Sequence, residues 1–528
     1  MDFAAEYPSV RQPLLARNVV AASQPLAAQA GLRMLLKGGN AIDAALAAAI
    51  ALTVVEPTSN GIGSDAFAIL WDGTALHGLN ASGRSPAGWA PERFGHLSEM
   101  PARGWDSVTV PGAVSAWVTL SERFGRLRFS ELFAPAIGYA VDGFLVSPVI
   151  ANSWQRAAEV LKDQPGFAEA FMREGRAPVV GETFRFPDQA ETLRQIAETK
   201  GEAFYRGALA AQMISFSKSL GGAMTLEDLD AHRADFCELV SVPWFGYEIH
   251  EIPPNGQGIS ALIALGILSE VEGFAGMSPD SPESLHLQIE AMKLAFADLH
   301  RYVADPAHME FEPRLLLDPE YLRSRARLID VAKAGKPAAG VPKQSGTVYL
   351  TAADAEGRMI SYIQSNYMGF GSGLVVPGTG ISLQNRGVGF RSQAGHPNSV
   401  GPRKRPFHTI IPGFATKDGR PIMSFGVMGG PMQAQGHVQM CVRVLLHGQT
   451  PQAASDAPRW QVMDDGGLSV EAGMPRATVE SLRSLGHHVS VESGFANQSF
   501  GGAQLILRHG DGYVAGSDQR KDGQAVGF

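Results

Sequence analysis

Apolar residues recur at helical spacing over 24–37 and again over 40–54, on either side of Lys37-Gly38-Gly39-Asn40. The paired glycines stop one helix, and the Asn40 side chain can accept from the open amides that start the next. This second segment is Ala-rich from 41 to 52, which predicts close packing against its neighbours. Gly61 to Gly63 lead into Ala66-Phe67-Ala68-Ile69-Leu70-Trp71, a core strand. Residues 112–335 read as mostly helical, broken by Pro and Gly turns, with EAMKLAFADLHRYVADP the clearest amphipathic helix. At Thr347 the period changes to two. TVYLTAA, the turn DAEG and RMISYIQSN read as a β-hairpin. A three-residue loop with Gly357 in the left-handed region pairs Asp354 with Arg358 and sets Thr347 opposite Ser365; a two-residue loop would bring Gln364 there instead. Residues 422–427 form an apolar strand that runs into Met428-Gly429-Gly430-Pro431, and a helix from 431 to about 447 follows with proline at its first position.

Composition narrows the class. A chain of 528 residues with 45% hydrophobic and 18% charged residues can bury a large core and is not a disordered chain. Its net charge of −8 argues against nucleic-acid binding, and Arg403-Lys404-Arg405, the densest basic run, reads as a solvated loop. Cys237 and Cys441 form neither a metal spacing nor a disulfide framework, which fits a reducing compartment. The first thirty residues lack a basic start followed by an apolar core, so no secretory signal is visible. The longest apolar run, 44–55, is shorter than the roughly 20 residues a bilayer needs. A cytoplasmic protein with no membrane partner is expected. His286, His300 and His308 are too irregularly spaced to share a ligand face and are expected to be structural, and no metal or cofactor is implied.

Thr347 carries the candidate chemistry. Gly346 lacks a Cβ, so its carbonyl can adopt a strained geometry and be attacked by the hydroxyl that follows it. The peptide would shift to an ester and hydrolyse, leaving a new N-terminal threonine whose α-amine, with a pKa of about 8 in model peptides, can act as base for its own hydroxyl. Residues 331–346, rich in Gly, Pro, Ala and Lys without periodicity, read as a mobile tail ending at the cut. Ser365 is either an ordinary strand serine or a second hydroxyl that holds the Thr347 rotamer. Gly429 and Gly430, between a strand end and a helix start, are either a plain turn or an oxyanion hole.

TVYLTAADAEGRMISYIQSNYMGFGSG, GTGISLQNRGVGF, RPFHTIIP and GVMGGPM together resemble the γ-glutamyltransferases, self-processing members of the N-terminal nucleophile hydrolases. The likeness extends to GGNAIDAALAAAIALTVVEP, VPGAVSAW, IPPNGQG and the tail GSDQRKDGQAVGF, and so covers nearly the whole chain. It implies an α+β fold, the four-layer αββα sandwich. It further implies a cut that leaves 1–346 and 347–528 as the large and small subunits of one interwoven domain, and an acyl-Thr347 intermediate formed from γ-glutamyl amides such as glutathione. Assembly into a homo-oligomer is left open. By resemblance Arg84 grips the acyl carboxylate, the Gly429-Gly430 pair forms the oxyanion hole, and Asn385 belongs to the substrate site.

The chain departs from this family where the substrate is read. Typical members follow the segment matching Leu383-Gln384-Asn385 with Gln or Glu and then Asp, which hold the glutamyl ammonium; here those positions are Arg386 and Gly389. Tyr367 stands in place of an asparagine, and His408-Thr409 in place of paired serines that bind the carboxylate. A pocket that keeps Arg84, gains Arg386 and loses that carboxylate should favour an anionic acyl group over one that also carries an ammonium, unless Arg386 points to solvent or Tyr367 takes over part of the lost work; weak γ-glutamyl selectivity is expected, with amides of simple dicarboxylates such as oxamate or glutaryl compounds as the runner-up substrates. An uncleaved binding protein of the same fold is the competing reading, and it gives no reason for Thr347, Ser365 and Gly429-Gly430 to occur together. A serine-triad hydrolase lacks its G-x-S-x-G turn here.

Overall fold

The computed structural model describes residues 11–335, 346–463, 465–493 and 498–528. The expected tail before the cut therefore lies outside the described residues from 336 to 345, as do the first ten residues. Two seven-stranded sheets lie face to face with helices over the outer side of each, the four-layer αββα sandwich. The first sheet runs Gln524–Gly527, Val19–Ala22, Gly346–Ala353, Met359–Tyr367, Asp65–Trp71, Leu76–Asn80 and Asp235–Cys237. The second runs Leu14–Ala16, Gly512–Ser517, Ala503–His509, Arg420–Val427, Gly413–Lys417, Tyr247–Glu251 and Val240–Trp244. Each sheet takes strands from both sides of residue 346, so the two halves of the chain share one core.

The period of two sorts the Gly346–Ala353 strand. Val348, Leu350 and Ala352 face the helical layer, whereas Tyr349 and Ala353 face the second sheet. Beneath Val348, Leu350 and Ala352 lies the helix Ala41–Val55, buried along its whole length because alanines let it approach the sheet closely. Asn40 caps it in a reciprocal box with Asp43, and its first amide, Ala41 N, donates at 2.9 Å to Oδ2 of Asp354 in the hairpin turn. The hairpin register is the expected one. Asp354 N donates to Arg358 O, Gly357 has φ +89°, and pairing runs from Ala353 with Met359 to Val348 with Gln364, breaking only between Gly346 and Val348.

The helices Pro25–Leu36 and Ala41–Val55, the strand Asp65–Trp71 and the strand Arg420–Val427 lie where periodicity puts them. The helix after Gly430 runs Met432–Met440 and continues as a wider π turn over Cys441–Leu446. Two readings need correction. Residues 112–335 are mostly helical, but they also hold sheet strands that the pattern did not show: Asp235–Cys237 and Val240–Trp244 each form the edge of one sheet and Tyr247–Glu251 lies next to the latter; they are short, and Pro243 interrupts the pattern. The basic run is solvated only at Arg403. Lys404 and Arg405 are buried, Lys404 Nζ donating to Ser399 O at 2.9 Å and Arg405 pairing with Asp235 at 2.7 Å. Carbonyls of the same loop for Lys404, and the Ser82 carbonyl and Asp235 carboxylate from distant segments for Arg405, make that burial tolerable.

Candidate active site

Three neighbouring strands of the first sheet begin or end at one place. Thr347 follows the first residue of its strand, Ser365 lies near the end of the next, and Asp65, the register partner of Ser365, begins the third. By the alternation of each strand, all three side chains point between the sheets. Thr347 Oγ1 donates to Ser365 Oγ at 3.3 Å, and Ser365 Oγ also accepts from Tyr367 N at 2.8 Å. Thr347 and Ser365 are both buried. Tyr367, the register partner of Gly346, holds φ +78°, which a residue with a Cβ adopts only under constraint from its surroundings.

The second sheet supplies the other wall. Gly429 and Gly430 bridge Val427 and the helix beginning at Met432, with φ +116° and +60°; a Cβ on Gly429 would lie 3.0 Å from Gly501 Cα. Gln433 in the first turn ties this bend to the hydroxyl. Its Nε2 lies 3.5 Å from Thr347 Oγ1, its Oε1 accepts from Ile411 N at 3.0 Å, and its backbone N–H donates to Gly430 O at 3.1 Å. Gln257 adds a second tie, Nε2 donating to Thr409 O at 2.5 Å and to Gly430 O at 2.8 Å.

Arg386 lies beside Tyr367, its guanidinium 4.7 Å from the ring centre. It is buried, Nη1 donates to Thr409 Oγ1 at 2.9 Å, and Nε and Nη2 have no hydrogen-bond partner among the described residues. Burial lowers its pKa to about 10 against the pull of Asp65. His408, next to Thr409, meets Asp65 Oδ2 through Nε2 at 3.2 Å; burial, with Arg386 and Arg405 nearby, holds the imidazole neutral.

Two expected site residues are placed differently from the rest. Arg84 is 46% exposed in its side chain and pairs with Asp305 at 3.2 Å, on the wall of a surface cleft of about 260 Å³ that also takes in Arg233, Arg403 and Arg405. Asn385 uses its amide to brace loops, Oδ1 accepting from Met368 N at 3.1 Å and Nδ2 donating to Ala102 O at 2.8 Å. Conversely, Asp65, Gln257 and Gln433 join the site without having been singled out in the sequence. Asp65 stands just before the predicted strand, and Gln257 lies inside IPPNGQG, but a lone carboxylate or amide in such a segment gives no signal of which strand or loop it will meet. Away from the site, His286 meets Glu290 and His487, the one metal-type cluster among the described residues. The Lys293 ammonium already occupies it, 2.8 Å from Glu290 Oε1, so the site holds its own cation.

The model of the gamma-glutamyltranspeptidase family matches residues 27–528. Among curated proteins, the chain is 37% identical over 521 residues to the glutathione hydrolase-like YwrD proenzyme of Bacillus subtilis, covering 97% of this chain and 98% of that one. It is 36% identical over 526 residues to the oxamate amidohydrolase proenzyme of Klebsiella pneumoniae, with 97% and 98% covered. Among solved structures, it is similar to a cephalosporin acylase from Bacillus halodurans, with a TM-score of 0.95, 46% identity and 100% and 99% of the two chains covered. With the sandwich fold and a threonine at the head of a central strand, these likenesses lead to one conclusion: the chain belongs to the gamma-glutamyltranspeptidase family of N-terminal nucleophile hydrolases, enzymes of amide hydrolysis and acyl transfer.

Proposed function

We propose that the chain cuts itself between Gly346 and Thr347 and then hydrolyses amides whose acyl part ends in a carboxylate and carries no ammonium. In the cut, Thr347 Oγ attacks the Gly346 carbonyl while its proton is relayed through the Ser365 hydroxyl to the Thr347 nitrogen; the C–N bond breaks, leaving an ester and a free α-amine, and water then hydrolyses the ester and frees Gly346 as a carboxylate. The released α-amine of Thr347 then takes the hydroxyl proton. The alkoxide attacks the substrate amide, and the charge on the carbonyl oxygen is met by the amides of Gly429 and Gly430 at the positive end of the Met432–Met440 helix. The amine departs with the proton held by the α-amine. Water, activated by the same amine, then releases the acid.

The observation that carries the substrate reading is Arg386, a buried guanidinium with Nε and Nη2 unpartnered, stacked on the ring of the residue that pairs with Gly346. A planar carboxylate matches two free N–H directions of a guanidinium, whereas an ammonium beside it would be repelled. Thr409 helps by fixing Nη1. Relatives named for oxamate and for cephalosporin are in keeping with acyl groups other than γ-glutamyl. Exposed and already paired with Asp305, Arg84 would serve at the mouth and not in the acyl pocket.

Two measurements test this. Intact-mass analysis should find two chains, the smaller beginning TVYLTAAD, and Thr347→Ala should remain whole and inactive; cleavage of that variant at the same bond would refute the self-cut. The kcat/KM for a glutaryl anilide should exceed that for the γ-glutamyl anilide. A preference of about a hundredfold for the γ-glutamyl compound would assign the enzyme to glutathione-type substrates instead.

A further inference from the structure

The helix Met432–Met440 follows directly on the Gly429-Gly430 bend and carries Gln433 against Thr347, so its setting about its own axis decides where these groups point. Ala434, Val438 and Met440 hold it by apolar contacts, which have no preferred direction. Gln435 and Gln439 tie one side of it to Val462 and Trp460, within the 347–528 half of the chain. The opposite side, which carries Gln433, has a tie to the other half. One turn beyond Gln433 on that face, His437 Nδ1 lies 2.6 Å from Oε1 of Glu251, the last residue of the strand Tyr247–Glu251. Both side chains are fully buried, and among the described residues each is the other's only polar partner. Two glycines make room for the pair: a Cβ on Gly413 would lie 3.1 Å from His437 Cε1, and one on Gly258 would lie 2.7 Å from Glu251 Oε2. The second contact sets the carboxylate beside the residue that follows Gln257, whose amide holds Gly430 O and Thr409 O. Glu251 thus stands next to both of the amides, Gln257 and Gln433, that tie the bend to its surroundings.

We propose that Glu251 and His437 are positioning residues for the Thr347 reaction, their buried bond setting the rotation of the Met432–Met440 helix and with it the Gly429-Gly430 amides and Gln433. The inference rests on the reading that those amides meet the oxyanion. Neither side chain bonds Thr347; both act through the backbone between Gly429 and His437 and through the turn at Gln257. A buried polar pair adds little to stability, and often less than apolar side chains of the same size would, but unlike them it is directional. Its use here is therefore orientation. N–H groups serve an oxyanion only when aimed at the place where the charge develops, and a misplacement of about 1 Å is enough to lower a rate by about a hundredfold.

The test replaces the pair by apolar side chains of similar size, Glu251→Met together with His437→Leu. Its unfolding midpoint should equal or exceed that of wild type. Its kcat, for whichever of the glutaryl and γ-glutamyl anilides the wild type turns over, should fall by about 30-fold with KM unchanged, because oxyanion contacts form only in the transition state. Glu251→Gln, whose Oε1 still accepts from Nδ1–H, should keep kcat within about threefold of wild type. An unchanged kcat in the double variant, or a loss confined to KM, overturns the proposal. An equal loss in Glu251→Gln overturns it too, since charge and not the bond would then be the active element. Gly429→Ala, which displaces the bend directly, separates these results from failure of the oxyanion reading. If it also leaves kcat unchanged, the amides are not the oxyanion hole; if it alone lowers kcat, only the role of the pair is lost. Where neither anilide is turned over, time courses of the self-cut give the same comparison, since Gln433 lies against Thr347 Oγ1 before the cut. If the double variant does not fold, Glu251→Leu against Glu251→Gln decides. A rate per folded enzyme lower by about tenfold or more for leucine supports the proposal, and equal rates overturn it.

Discussion

Two arginines are buried to the same depth, Arg386 and Arg459, each 1% exposed, and their surroundings differ in kind. Arg459 pairs with Asp518 at 2.5 Å and donates to the carbonyls of Phe500 and Ser455, joining three segments of the small half of the chain. Asp518 in turn accepts from Ala503 N and Arg520, and Arg520 reaches Glu471. Arg386 has a hydroxyl, an aromatic face and no carboxylate in contact. Burying a cation without an anion is costly, and the fold keeps such a group only where something outside the chain completes it. The first arrangement holds segments together. The second, under the proposed function, leaves its charge to be met by the substrate.

Removing each guanidinium separates these roles. Arg459→Leu leaves Asp518 buried without one of its two arginines and should lower stability by about 3–5 kcal/mol in urea unfolding. Whatever enzyme remains folded should keep its KM. Arg386→Leu strands no carboxylate in contact, so its unfolding midpoint should stay close to wild type or rise. Its kcat/KM for a glutaryl anilide should fall by about a hundredfold, with that for the valeryl anilide, which lacks the carboxylate, nearly unchanged. Equal losses of stability in the two variants would erase the distinction.

The strand pairing around Thr347, the proposed nucleophile, is legible in the sequence, and the loops that surround it are not. The pairing of Thr347 with Ser365 is readable because a hairpin is local: the glycine at 357 fixes the loop, and counting outward fixes everything else. The cap at Asn40 is readable for the same reason. Gln433 and Gln257 are not, because their partners lie 86 and 152 residues away and no local pattern encodes which loops the sandwich brings together. The reading of Arg403-Lys404-Arg405 as solvated fails in the same way, since the groups that bury Arg405 come from Ser82 and Asp235. Likewise His286 meets a histidine 201 residues away, which spacing along one helix cannot reveal. Arg386 is noticed only as a departure from a resembling family; its burial and its unpartnered nitrogens are tertiary facts.

The two aspartates extend the comparison to pH. Asp518 is held below the ordinary carboxylate range, since Arg459 and Arg520 outweigh its burial. Its contribution is therefore present above the unfolded pKa and lost as pH falls through the folded one. Asp65 is raised to about 7, so the folded state holds a proton that the unfolded state has released, and stability falls as pH rises from the unfolded value towards neutral. Unfolding midpoints should show Asp518→Asn destabilising at neutral pH and approaching wild type in acid. Asp65→Asn should gain on wild type between about pH 4 and 7, by at most about 1.4 kcal/mol per unit, and no further above it. Parallel profiles would mean that the two carboxylates are equivalent supports.

The smallest effect belongs to Ser365, which lies between the reactive hydroxyl and Asp65 without carrying charge. Its Oγ accepts from both Thr347 Oγ1 and Tyr367 N, and under the proposed function these bonds hold the rotamer of the nucleophile and support the turn opposite Gly346. Ser365→Ala keeps the strand and its register, because the backbone pairing needs no side chain. What it loses is one neutral hydrogen bond to the nucleophile, a contribution of about 1–1.5 kcal/mol. Turnover should slow by about tenfold, with the unfolding midpoint near that of wild type. The rate of the cut should fall further than that of turnover, since before cleavage Thr347 has no free amine and the path through Ser365 is the nearest acceptor for its proton. Mass-spectrometric time courses of the precursor beside anilide turnover of the mature enzyme measure both. Unchanged rates would reduce Ser365 to a strand serine, and an equal fall in both would assign it to rotamer control alone.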